Sequence, residues 1–223
     1  MLKLRSDLFI AIEGIDGSGK TTATRNLVEA LRKSGHEAIA LNKRTPGVLD
    51  DYVTKHLSLL AEAIWTNSKN SPIHLLGERH WMHLHAAYLS ALGKQIKEGQ
   101  LVDKEGFVVV DGWVGKLTAR MATGRVNSAE EIFSFFGSIV QPDVVIVLDV
   151  PPEVAEDRLA GDFTVGETRS LGAETSPGFV AYQSEVRAIL LHLAESHGWL
   201  VYRHQGKSPA EVAQDLMDML PAA

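Results

Sequence analysis

Apolar and polar positions divide this chain into short solid apolar runs and longer stretches with helical spacing. Leu8-Phe9-Ile10-Ala11-Ile12, Phe107-Val108-Val109-Val110 and Val144-Val145-Ile146-Val147-Leu148 show no polar alternation, the pattern of strands covered on both faces. Residues 36–41 and 199–202 read as two further strands. Between them, residues 21–34 place Leu27, Val28, Ala30 and Leu31 on one helical face, with Gly35 as a stop signal. Helices are also predicted over residues 50–63, 73–97, 128–136, 179–197 and 209–220, with another opened by Pro151-Pro152-Glu153. Ser128-Ala129-Glu130-Glu131 has the form of a capping box. This alternation predicts an α/β fold, a five-stranded parallel sheet with helices on both faces. With no internal repeat, linker or low-complexity run, the 223 residues read as one domain, 1–223.

Composition narrows the function. Hydrophobic residues at 45% and charged residues at 22% suit a soluble globular protein. A net charge of −6 with no long basic run argues against nucleic-acid or membrane partners, and leaves room for a small cationic phosphate pocket. The absence of cysteine excludes disulfides and thiolate metal sites, and fits a cytoplasmic location. Residues 1–7 are charged, and no apolar run nears the ~20 residues that cross a bilayer.

The chemistry gathers at the ends of the predicted strands. Gly14-Ile15-Asp16-Gly17-Ser18-Gly19-Lys20-Thr21 follows the first strand and opens the first helix. It fits the phosphate-binding pattern G-x-x-x-x-G-K-[ST], in which glycines let backbone N–H groups turn towards phosphate at a helix N-terminus. Lys20 reaches the outer phosphates and the Thr21 hydroxyl ligates magnesium. Lys43 and Arg44 follow the second strand, at the sheet edge where open α/β folds bind ligands. Asp111 ends the third strand, where a carboxylate organises the magnesium shell or caps the next helix. Lys116 and Arg120 share one helical face and either grip a phosphate or face water. His74, His80, His83 and His85 spread round their helix rather than forming a metal-binding pair, and Phe133, Phe135 and Phe136 suit a core or dimer interface. The polar stretch after Gly161, to Pro177 and including Arg169, reads as a lid.

Phe9-Ile10-Ala11-Ile12-Glu13-Gly14 through Lys20-Thr21-Thr22 resembles the opening of the thymidylate kinases almost residue for residue. Pro142-Asp143 and Leu148-Asp149-Val150-Pro151-Pro152-Glu153-Val154-Ala155, with Arg158 beyond, resemble a later signature of that family. The resemblance implies a phosphate-loop kinase fold that uses ATP and Mg2+ to phosphorylate a nucleoside monophosphate, dTMP first, in a homodimer. It implies ATP-binding roles for Gly14, Asp16, Gly17, Ser18, Gly19, Lys20, Thr21, Thr22 and Gln205, and magnesium held by Thr21 and Asp111. Asp16 is further implied at the acceptor sugar, and Arg158 and Arg169 at the phosphates when the lid over 161–177 closes. On the acceptor side it points to Arg44, Leu75, Arg79, Trp113, Lys116 and Arg120. Departures cluster there. Asp111-Gly112-Trp113 lacks the arginine that the family sets against the acceptor phosphate, and Leu75 stands where an aromatic stacks on thymine. Lys116 and Arg120, helped by Arg44, are the expected compensation. A kinase for another small acceptor, or an ATP-binding regulatory protein without transfer activity, remains an alternative.

Overall fold

The computed structural model describes residues 8–66, 73–101, 106–124, 127–162, 167–168, 176–203 and 206–222. Strands β1 (Phe9–Glu13), β2 (Ala38–Leu41), β3 (Phe107–Asp111), β4 (Val144–Asp149) and β5 (Leu200–Arg203) form one sheet in the order β2-β3-β1-β4-β5. Every pairing is parallel. Strand β1 therefore lies in the middle, and the chain leaves it towards β2 on one side and returns to β4 on the other. The crevice beyond its carboxyl end is the topological switch point.

Both faces are covered, and the side-chain period of two explains the solid apolar runs. Ile10, Ile12, Val109 and Ile146 pack with Leu27 and Leu31 of α1 (Lys20–Lys33) and with Leu216 of α8 (Pro209–Asp218). Phe9, Ala11, Val108 and Val110 face the other way, into a cluster with α2 (Asp51–Ala61), α3 (Gly77–Lys97) and α5 (Ala129–Phe135). A third cluster joins Ile15 and Val150 to α4 (Gly115–Ala122), α6 (Pro152–Leu159) and α7 (Ser176–His197). It lies directly behind the phosphate-binding loop.

Local rules set most boundaries. Ser128 caps α5 by accepting from the Glu131 N–H while Glu131 bonds back, the predicted capping box. Strand β2 begins later than its apolar run predicts because α1 ends in a Schellman-type stop. His36 N donates to Leu31 O at 3.0 Å, which commits His36 to the helix end. The predicted helix over 73–97 opens with a tight turn, Ile73–Leu76, before α3 proper, and α2 runs on into a π-helical turn, Glu62–Thr66. No helix among the described residues is long and apolar enough to cross a membrane.

Candidate active site at the switch point

The loop between β1 and α1 is built for anions. Gly19 precedes α1 in the left-handed region, φ 91°, with no side-chain cap, and the first helical bond runs from Ala23 N to Gly19 O. The N–H groups of Lys20, Thr21 and Thr22 thus lie outside the helical ladder, at the positive end of the helix. Gly17 has φ 73°, and a Cβ there would lie 2.6 Å from Ala155 O, so only glycine lets the loop pass under α6. The buried Ser18 hydroxyl has no hydrogen-bond partner among the described residues, an orphan of the kind a ligand oxygen satisfies. Arg158 brackets the loop from α6, its Nη1 donating to Ser18 O at 3.2 Å and to Gly17 O at 3.4 Å.

Lys20 is buried, and its ammonium donates to Ile15 O at 2.6 Å. Burial, reinforced by the charge of Lys116, lowers its pKa to about 8 against the opposing pull of Asp16, Asp111 and Glu13. Beside it the Thr21 hydroxyl donates to Asp111 Oδ2. The register puts Asp111 opposite Ile12, next to the loop. A hydroxyl and a carboxylate brought together at a phosphate-binding helix end are hard oxygen donors suited to magnesium, which takes its remaining ligands from phosphate and water. Among the described residues no group of three His, Asp or Glu side chains gathers as an alternative metal centre.

A second set of charges lies across the loop. Lys116 forms an ion pair with Asp16 Oδ1, both side chains largely buried. Burial alone would raise the Asp16 pKa, but the charges of Lys116, Lys20 and Arg120 outweigh it and hold the carboxyl well below the usual carboxylate range. Gln183, wholly buried on α7, accepts from Asp16 N at 3.1 Å and donates to Asp16 Oδ2 at 3.2 Å and to Glu167 O at 3.0 Å. Arg120 Nε donates to Tyr182 Oη at 3.4 Å. The Glu13 carboxylate is buried and accepts from the backbone N–H groups of Trp113 at 2.7 Å, Gly115 at 2.9 Å and Lys116 at 3.1 Å. It caps α4 and so sets where Lys116 and Arg120 stand.

No family model matches the chain. It is 30% identical over 153 residues to the thymidylate kinase of Thiobacillus denitrificans, across 67% of this chain and 68% of that relative. The chain belongs to the thymidylate kinase family. Similarity to the probable thymidylate kinase of Pyrobaculum aerophilum is 25% over 213 residues, covering 95% of each protein. To the thymidylate kinase of Dinoroseobacter shibae it is 27% over 220 residues, covering 96% of each.

Within this thymidylate kinase fold, the structure brings Lys20, Thr21, Asp111, Asp16, Lys116, Arg120 and Arg158 around one loop. Of four acceptor-side candidates, one is buried in the core, one is already paired, and two show no bond to the loop among the described residues. Trp113 is a core residue, 3% exposed, edge-on to Phe9 at 5.1 Å with its indole N–H donating to Val140 O at 2.8 Å. Its ring has no polar edge left for a ligand. Lys116 is not a free cation, because Asp16 already neutralises it. Leu75 is 73% exposed, and Arg79 lines a cleft of about 350 Å3 with Met82, His83, Ile132 and Phe135. Among the described residues no hydrogen bond or ion pair joins Leu75 or Arg79 to the phosphate loop. Arg44 is exposed beside Lys43, and Thr22 is exposed in the first turn of α1. Arg169 and Gln205, with most of the expected lid, lie outside the described residues.

The sequence pattern marks Lys43 with Arg44 at the sheet edge but does not mark Glu13 or Gln183 as site residues. For both of these a signal existed. Glu13 is a charge closing a run of fully buried strand residues, and Gln183 interrupts the stripe Phe179, Tyr182, Val186, Leu190 on α7. A polar residue on a buried stripe must have buried partners.

Proposed function

We propose that this protein transfers the γ-phosphoryl group of magnesium-bound ATP to a nucleoside monophosphate, with dTMP the first acceptor. The observation that carries the reading is the pairing of Thr21 with Asp111 beside the buried Lys20, at an uncapped helix end directly across from the Asp16–Lys116 pair. One half of the site suits a triphosphate and its metal, the other, where the Asp16 carboxylate is held in place, a hydroxyl of the acceptor. The names and coverage of the relatives support thymidine monophosphate as acceptor.

In this reading the donor's β- and γ-phosphates rest on the N–H groups of residues 17–22, and Lys20 donates to the transferring group. Thr21 and Asp111 would hold magnesium, which withdraws charge from the phosphate oxygens. An oxygen of the acceptor's 5′-phosphate attacks the γ-phosphorus as the bond to the β,γ-bridging oxygen breaks, giving ADP and the nucleoside diphosphate. That oxygen is already anionic, so no general base is required, and catalysis reduces to alignment and charge stabilisation. Arg158, bonded to the carbonyls of the loop, stands where developing negative charge would be met. Asp16 is positioned by Lys116 and Gln183 to accept from an acceptor hydroxyl.

The test is acceptor-dependent ADP release with MgATP and a panel of nucleosides and nucleoside monophosphates. Turnover that is highest with dTMP and falls at least ~100-fold in Lys20→Ala is expected. Turnover with a different acceptor and none with dTMP would favour the second reading, a changed substrate, which the aliphatic and exposed Leu75 supports. ATP binding without release for any acceptor would refute transfer.

A further inference from the structure

We propose that Lys43 is the cation that receives the acceptor's phosphate: it stands over the β3–α4 turn with an ammonium that no carboxylate among the described residues pairs with. The inference rests on the phosphoryl-transfer reading above and names a binding residue for it. Apart from Arg44, which is exposed beside Lys43, the charges nearest this edge are already engaged. Asp16 holds Lys116, Asp111 takes the Thr21 hydroxyl, Glu13 takes three backbone N–H groups, and Lys20 serves the donor loop.

Lys43 differs. Its Nζ donates to Gly112 O at 2.7 Å, and among the described residues no carboxylate lies within ion-pair distance. An ammonium has three N–H donors, so two donors remain. Burial, reinforced by Lys116 and Arg44, lowers its pKa against the opposing pull of Asp111 and Glu13, and an anion bound there would favour the charged form. A partly buried cation facing a neutral acceptor is completed by an anion, and a tetrahedral phosphate supplies both charge and oxygens.

The placement is built rather than incidental. The Lys43 carbonyl accepts from the hydroxyl of Tyr88, whose ring is fully buried on α3, so the lysine's backbone is pinned from below. A Cβ at position 112 would lie 3.4 Å from Lys43 Nζ and 3.5 Å from Glu13 Oε2, and the backbone there has φ 71°. Those are ordinary contact distances, so it is the positive φ that favours glycine at 112, and the Gly112 carbonyl that results from this turn is the one Lys43 holds. Of Lys116, Arg120 and Arg44, the compensation expected from sequence, Lys116 is spent on Asp16 and Arg120 donates to Tyr182.

The experiment compares wild type, Lys43→Met and Lys43→Arg by steady-state kinetics with ATP and dTMP, and by calorimetric binding of dTMP and of thymidine. Lys43→Met is expected to raise KM for dTMP and weaken dTMP binding by ~10- to 100-fold, the loss of a charge-assisted bond. Its KM for ATP should stay within twofold, which also shows that the variant folds, and thymidine binding should not change. Lys43→Arg should retain most of the dTMP affinity. Unchanged dTMP binding in Lys43→Met, or equal losses for dTMP and thymidine, overturns the assignment and leaves the transfer reading intact. A wild type that neither binds nor phosphorylates any nucleoside monophosphate overturns both.

Discussion

Replacing Gln183 with leucine should unfold the site from behind. Gln183 is fully buried and makes three hydrogen bonds, two to Asp16 and one to the carbonyl of Glu167. Leucine has similar bulk and fills the space, but it leaves the Asp16 N–H, one oxygen of a largely buried carboxylate and a carbonyl without this partner. A bond to a charged group contributes ~1.5–3 kcal/mol and each neutral bond about 1 kcal/mol, partly offset by the added apolar burial. The expected net loss is ~2–4 kcal/mol. In a chain of this length each kcal/mol moves Tm by about 2–4 °C, so circular dichroism should record a fall of ~5–15 °C, with the urea midpoint moving in parallel. Gln183→Glu keeps the shape and sets a second carboxylate beside Asp16, so its loss should be at least as large. A Tm within 2 °C of wild type for Gln183→Leu would refute the claim that Asp16 is held from α7.

Other predictions follow from the same geometry. Because the Lys20 pKa is depressed to about 8 from 10.5, the unfolded chain binds more protons between those values, and the nucleotide-free protein should gain stability as pH rises from about 8 to 10.5. Bound triphosphate would favour the charged lysine, so calorimetry at pH 9 in buffers of different ionisation enthalpy should show proton uptake on MgATP binding, and none in Lys20→Met. Equal uptake in both would contradict it. Gly112→Ala, strained at φ 71°, should cost ~1 kcal/mol in urea unfolding and, by shifting the Gly112 carbonyl that holds Lys43, raise KM for dTMP but not for ATP. An unchanged KM for dTMP would show that residue 112 does not govern the ammonium.

How much of this was legible in the sequence follows from the range of each interaction. The strands were, because Leu8–Ile12, Val108–Val110 and Val144–Leu148 are buried on both faces and carry no polar alternation. The phosphate loop was, because its pattern is contiguous and its flanking strand and helix are local. The capping box of α5 lies within four residues and also came through. The pairings that organise the acceptor half did not. Asp16 meets Lys116 across 100 positions and Gln183 across 167, and no periodicity encodes such a meeting. The surroundings of Trp113 were hidden for a related reason. The resemblance implies it at the acceptor, two positions beyond Asp111, yet strand β3 has just ended and the chain turns the indole inward against Phe9. Lys116 and Arg120 do share a face of α4, as their spacing predicts. Whether that face meets water, phosphate or Asp16 was decided by Glu13, which caps the helix and aims it.

The most direct test of the central claim is to separate the nucleotides formed when purified protein, MgATP and dTMP react. The account predicts dTDP and ADP appearing in equal amounts, only when both substrates and magnesium are present, and neither forming with Lys20→Ala. ADP accumulating at the same rate without dTMP, or dTMP recovered unchanged while ATP is consumed, would contradict it.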